Sequence, residues 1–248
     1  MIYDLQKASI LKRISAFLLD FILICILATG FGALLSVIVD FNGCYDQIAA
    51  YEEDYKAHGI ETLLVTEELY NTLPADAQQY YHSVRENVYA LVYQCITKMF
   101  LIVSLGLFFA FLILEFVIPL CLKNGQTVGK KIFSIGVMQI SGVKLKHFAL
   151  FVRSILGKYT IETMVPIAIL FAFIFAEPSI ILLIVIFAII VLQIVLFFAT
   201  KTFSLIHDVL SSSVVVDMQS QMIFNSIEEM TAYKEELHRQ EVEKAEYK

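Results

Sequence analysis

Apolar residues run almost without interruption through four stretches of the chain, 14–39, 96–122, 161–176 and 180–200. A helix that crosses a bilayer needs about 20 predominantly apolar residues, so the pattern predicts four transmembrane helices. Glu177-Pro178 separates the last two as a helical hairpin, and the third is the shortest of the set. Between the first two, segment 40–94 is polar, and Thr66-Glu67-Glu68 and Pro74-Ala75-Asp76 read as starts of short helices.

After the second stretch the period changes twice. Phe133, Ile135 and Val137 alternate with Ser134, Gly136 and Met138, and Ser141-Gly142 leads into Val143 and Leu145, which predicts a small hairpin. From about Lys146 the period is helical, with Phe148, Phe151, Val152, Ile155 and Leu156 on one face and Arg153 on the other. That pattern predicts a basic amphipathic helix lying in the membrane interface. The tail from Met218 is polar and helix-prone, with Glu235 four residues before Arg239. It reads as a solvated helix, with a partner-binding strip through Met222, Ile223, Ile227 and Met230 as the alternative.

The expected fold is therefore an all-α polytopic membrane protein with four transmembrane helices, a short cytoplasmic hairpin and an amphipathic interfacial helix. Its membrane domain covers 1–217, including the loop at 40–94, and 218–248 forms the polar tail. Composition agrees, because 58% hydrophobic and 17% charged residues with a mean hydropathy of +0.74 exclude a soluble globule of 248 residues.

Charge orients the chain. Between Cys121 and Thr160 the charged residues are Lys123, Lys130, Lys131, Lys144, Lys146, Arg153 and Lys158, and no acid occurs there. The loop at 40–94 carries Asp40, Asp46, Glu52, Glu53, Asp54, Glu61, Glu67, Glu68, Asp76 and Glu86 against only Lys56 and Arg85. By the positive-inside rule the loop is outside, and both termini are cytoplasmic. The plasma membrane and the anionic lipids of its inner leaflet are the expected setting. The net charge of −6 is only the sum of these regions.

The first stretch is read as a retained anchor and not as a signal peptide, because of its length and because Asp20 lies inside it. An acid at that depth is costly and marks a functional position. Arg13 shares its helical stripe, almost two turns earlier. Asp20 is expected to be matched by Arg13 or Lys130, and Asp208 by the other. Glu115 in the second stretch and Gln193 in the fourth add polar groups to the same bundle.

Cys44 and Cys95 bracket the exterior loop, and a disulfide between them would tie its ends together on the oxidising side. Tyr45, Tyr51, Tyr55, Tyr70, Tyr80, Tyr81, Tyr89 and Tyr93 lie in that loop, either as packing or as an external binding surface. The five histidines are scattered without metal-ligand spacing, so no metal and no cofactor is expected. GQTVGKK at 125–131 lacks the glycine spacing and the strand-to-helix context of a phosphate loop. Nucleophile–base pairs and paired catalytic carboxylates are missing from the pattern too, and neither an enzyme nor a nucleic-acid-binding protein is expected.

Taken together, these pieces resemble the RDD family of membrane proteins. The resemblance rests on Arg13 and Asp20 in the first span, the elbow Gly125, Thr127, Gly129 and Lys130, then Arg153, and the late His207-Asp208 followed by hydroxyls and Val214 to Val216. It implies that Arg13, Asp20 and Asp208 are the arginine and two aspartates of the family's name. Two positions depart from its pattern: Ser134 stands where a glycine is usual, and Ser213 where a threonine is usual. The resemblance implies one of two functions. The chain is a structural or regulatory subunit of a membrane assembly, a homo-oligomer or a complex with another membrane protein, held by an Arg/Asp/Lys ion-pair cluster. Alternatively it is a small transporter of the sodium–proton exchange type that uses Asp20.

Overall fold

The computed structural model describes residues 5–122, 124–175 and 179–246, so Lys123 and the Glu177-Pro178 break lie outside the described residues. In chain order the elements are α1 (Ile10–Ile38), α2 (Phe41–Ala57), α3 (Glu67–Thr72), α4 (Ala75–Cys121), α5 (Val128–Ile132), β1 (Ile135–Gln139), α6 (His147–Phe175), α7 (Ile180–Ala199), α8 (Ile206–Leu210), β2 (Ser213–Asp217) and α9 (Ile227–Glu246). Helices α1, α4, α6 and α7 are long and apolar enough to cross a membrane. Their outward side chains are apolar and uncovered: Phe17, Phe21 and Ile26 on α1 are exposed, and no residue of α7 is buried. Surfaces of this kind are stable when hydrocarbon is the solvent.

The chain divides into two compact units, Thr29–Gly106 and the remaining residues. In the first, Asp40 caps α2 by accepting from the Gly43 amide at 3.2 Å. Cys44 on α2 is bonded to Cys95 on α4, with 6.0 Å between their Cα atoms. A core of Tyr55, Ile60, Ala77, Tyr81 and Val88 lies under Tyr51, Tyr70 and Tyr80. Thus several loop tyrosines are core residues, whereas Tyr45 and Tyr93 are exposed.

In the second unit β1 and β2 form an antiparallel pair with Val137 opposite Val215 and Gly136 opposite Val216. The hairpin expected from the alternation is reduced. Ser141-Gly142 does turn the chain, and the Gln139 amide donates to the Val143 carbonyl at 2.9 Å, but only a single bridge, Met138 to Lys144, follows. The strand that covers β1 is the valine run 213–217, whose Val214 and Val216 are buried beside Met138. That run offers β1 consecutive valines, whereas lysines alternate with Val143 and Leu145 in the 143–146 segment.

The amphipathic stretch after Lys146 also differs from expectation. It is the first part of α6 and continuous with the third span, and its faces do not sort as expected: Phe148 is 77% exposed although Ile155 is buried, and Arg153 is 3% exposed. Within a membrane the apolar face meets lipid and the charged face turns inward, where partners can be found.

Two helices widen into π-helical turns at this level. In α4 the turn covers Leu112–Val117, just before Pro119. Proline lacks an N–H and crowds the carbonyl four residues back, which belongs to Glu115. In α6 it covers Val152–Met164, where the Thr160 and Thr163 hydroxyls donate to the carbonyls of Ile155 and Lys158, five residues back. Hydrogen bonding five residues apart brings Arg153 and Lys158 onto one face.

Candidate functional site

A cavity of about 640 Å³ lies in the second unit, with α1 on one side and α7 on another. Charged side chains from α1, α4, α5, α6 and α8 reach it, and each carboxylate finds donors from a different segment.

Asp20 is 5% exposed. Its Oδ1 accepts from the Gly129 amide at 2.8 Å, and its Oδ2 accepts from the Thr127 hydroxyl. Thr127 also caps α5, accepting from the Lys130 amide at 3.3 Å. The elbow thus places an amide and a hydroxyl on the intramembrane acid. Close approach is what requires glycine here, since a Cβ on Gly129 would stand 2.4 Å from the Ala16 carbonyl oxygen. Gly125, with φ +59°, lies against Val137 and starts the same elbow. Ser134, at the departure from the family's glycine, has a left-handed φ of 55°. The suggested pairing of Asp20 with Arg13 or Lys130 is corrected: among the described residues no cation lies within 4.0 Å of it.

The cations are occupied elsewhere. Lys158 donates to Glu115 Oε1 at 2.6 Å, and Lys130 faces Oε2 at 3.8 Å. Burial pushes the Lys130 ammonium down to about 7, Lys158 adds to the effect, and Glu115 opposes it. Arg153 donates to Asp208 and to the Ser213 hydroxyl. Ser213, the second departure, therefore supplies the same hydroxyl a threonine would. Arg13 donates to the carbonyls of Thr202 at 3.1 Å and Phe203 at 2.8 Å, with Asp208 at 3.7 Å. Burial raises the Asp208 carboxyl, but Arg153, His207 and Arg13 together outweigh it and hold the group below the ordinary carboxylate range.

His207 closes the third group. Its backbone amide donates to Glu162 Oε1 at 3.0 Å, and its Nδ1 lies 2.9 Å from both carboxylate oxygens. Gly157 allows this packing of α8 on α6, since a Cβ there would lie 2.5 Å from the His207 Cβ. Burial lowers the His207 imidazole, against the attraction of Asp208. Glu162 and Lys158 were not among the residues the sequence singled out. The available signal was their position, four residues apart and charged, at the edge of an apolar helix. Among the described residues no group of three His, Cys, Asp or Glu side chains could hold a metal ion.

Four helices long and apolar enough to cross a membrane, three of them carrying charged side chains that line one cavity, define an integral, polytopic membrane protein. The RDD family's sequence profile matches residues 7–212, and the chain belongs to the RDD family. No curated protein and no solved structure gives a significant match.

Proposed function

We propose that this RDD protein is a structural or regulatory subunit of a membrane assembly, in which the charged cluster fixes the relative positions of the spans. The observation that carries the reading is that each Asp20 oxygen accepts a hydrogen bond from a fixed donor of a separate segment, the Gly129 amide and the Thr127 hydroxyl. A carboxylate satisfied by fixed protein donors is suited to holding α1 against the elbow and poorly suited to exchanging ions. Glu115 and Asp208 bind two further segments in the same way. The unburied α7 supplies a surface for a second copy or another membrane protein. In this reading the protein has no catalytic role, both termini and the sheet face the cytoplasm, and the plasma membrane is its site.

A second reading, ion transport through Asp20, is favoured by one observation: Asp20, Glu162 and His207 all line the same cavity. Both readings are tested on Asp20→Asn. Purified protein is assayed for thermal stability in detergent and for sodium and proton flux in liposomes. The subunit role predicts loss of stability and no flux in the unmodified protein. Flux in the unmodified protein that disappears in a stably folded Asp20→Asn variant would establish transport.

A further inference from the structure

The cavity has an unequal supply of hydrogen-bonding groups. All four acids that line it are occupied from within: Asp20 by Gly129 and Thr127, Glu115 by Lys158, Glu162 by His207, and Asp208 by Arg153 and the Leu205 amide. The two lysines are not. An ammonium carries three donors. Among the described residues Lys158 Nζ makes one hydrogen bond, at 2.6 Å to Glu115, and the nearest acid to Lys130 Nζ is the same carboxylate at 3.8 Å, beyond hydrogen-bonding distance. Lys130 is nevertheless 8% exposed. The buried Lys130 and the largely buried Lys158 therefore share one carboxylate, both line the cavity, and among the described residues their remaining donors have no hydrogen-bonded protein acceptor.

The lining on α1 and α7, taken as the mouth, has the opposite character. Ile14, Phe17 and Phe21 line the cavity from α1 and are 52%, 62% and 51% exposed, on a face of the first span that meets hydrocarbon. Phe197 lines it from α7. A ligand that enters between these side chains comes from the bilayer, and it must present apolar chains to the mouth and acceptor oxygens to the lysines. The volume, about 640 Å³, lies within the range of ordinary ligand sites. It is large enough for a head group and the first segments of its chains.

We infer that the cavity binds one acidic phospholipid, its phosphate oxygens accepting from Lys130 and Lys158 and its acyl chains leaving between α1 and α7. Charge-assisted bonds to phosphate from lysine are point-charge interactions that need no planar fork, which suits two ammoniums that face the same carboxylate. The inference goes beyond the subunit role and does not depend on it.

Native mass spectrometry of the full chain, released from detergent with added short-chain phosphatidylglycerol, phosphatidylcholine or inorganic phosphate, tests it. The expected result is a one-to-one adduct with phosphatidylglycerol that survives activation, weak adducts with phosphatidylcholine, and no competition from inorganic phosphate. Lys130→Gln should weaken the adduct about tenfold or more, the effect of one lost hydrogen bond to a charged group. Ile14→Trp, a change at a half-exposed position that leaves the cluster intact, should weaken it by filling the mouth, and it decides the matter if Lys130→Gln does not fold. Equal retention of phosphatidylcholine would overturn the recognition of negative charge. Displacement by inorganic phosphate would make the ligand a soluble anion. No specific adduct, or an adduct unaffected in Ile14→Trp, would overturn the site.

Discussion

Asp20 on the first span and Gly129 in the elbow are joined by a 2.8 Å hydrogen bond from amide to carboxylate, although 109 residues separate them in the chain. The contact leaves no room for a side chain at Gly129, where a Cβ would lie 2.9 Å from the Asp20 carboxyl carbon. Gly129→Ala should destabilise the protein by about 1–3 kcal/mol, the cost of overpacking a closed site. Asp20→Asn should also destabilise, because its oxygen can keep the Gly129 amide but its NH2 group makes the Thr127 hydroxyl give up donating and accept instead, and a charge-assisted bond is lost; the expected loss is about 1–3 kcal/mol. Thermal unfolding in detergent measures both. Unchanged melting in Gly129→Ala would show that the elbow does not hold α1.

Arg153 and Asp208 are buried together, with Arg13 at 3.7 Å from the same carboxylate. Asp208→Ala strands two arginines and should cost about 3–5 kcal/mol. The double variant Asp208→Leu with Arg153→Met should cost less than the sum of its parts, because it removes the stranded charge along with the pair. A double-mutant cycle on detergent-solubilised protein gives the coupling directly, and strict additivity would contradict a shared interaction.

The Lys130 ammonium has a folded-state pKa of about 7, below its ordinary value of 10.5. Between these two values the unfolded chain binds more protons than the folded one, so stability should rise with pH across that window. Below about pH 7 both states are protonated and the burial cost is felt in full. Lys130→Met removes the titrating group, and the melting temperature of the unmodified protein relative to this variant should increase from pH 7 to pH 10. A flat difference would mean that burial does not depress the group.

The disulfide between Cys44 and Cys95 closes a loop whose ends are 51 residues apart. On the chain-entropy account a loop of this length stabilises by about 4 kcal/mol. Reductant, or Cys44→Ser with Cys95→Ser, should lower the melting temperature, and hydrogen exchange should rise in the tyrosine core around Tyr55 and Tyr81. Intact mass after alkylation without reductant should show two modified thiols, Cys25 and Cys121. Four would refute the bond.

Orientation can be read by labelling. In a background without native cysteines, a cysteine at Glu53 should react with an impermeant reagent added outside intact cells, and one at Ser141 should react only after lysis. The reverse pattern would invert the proposed topology.

The elements that depend on local composition were legible from the residues alone. The apolar runs specify four spans because their length matches a bilayer and no polar backbone can remain unsatisfied within it. The placement of Arg13 and Asp20 on one helical stripe was equally legible, since it follows from the helical repeat alone. What the sequence left open was pairing across distance. Nothing in spacing indicates that Asp20 takes an amide and a hydroxyl while Lys130 turns to Glu115, or that β1 is covered by 213–217 and not by its neighbour in the chain. The inward turn of Arg153 and the outward turn of Phe148 after Lys146 have the same origin. Periodicity identifies two faces but does not say which solvent each one meets, and only the packing of α8 on α6 decides that Arg153 turns inward to Asp208 and Phe148 outward.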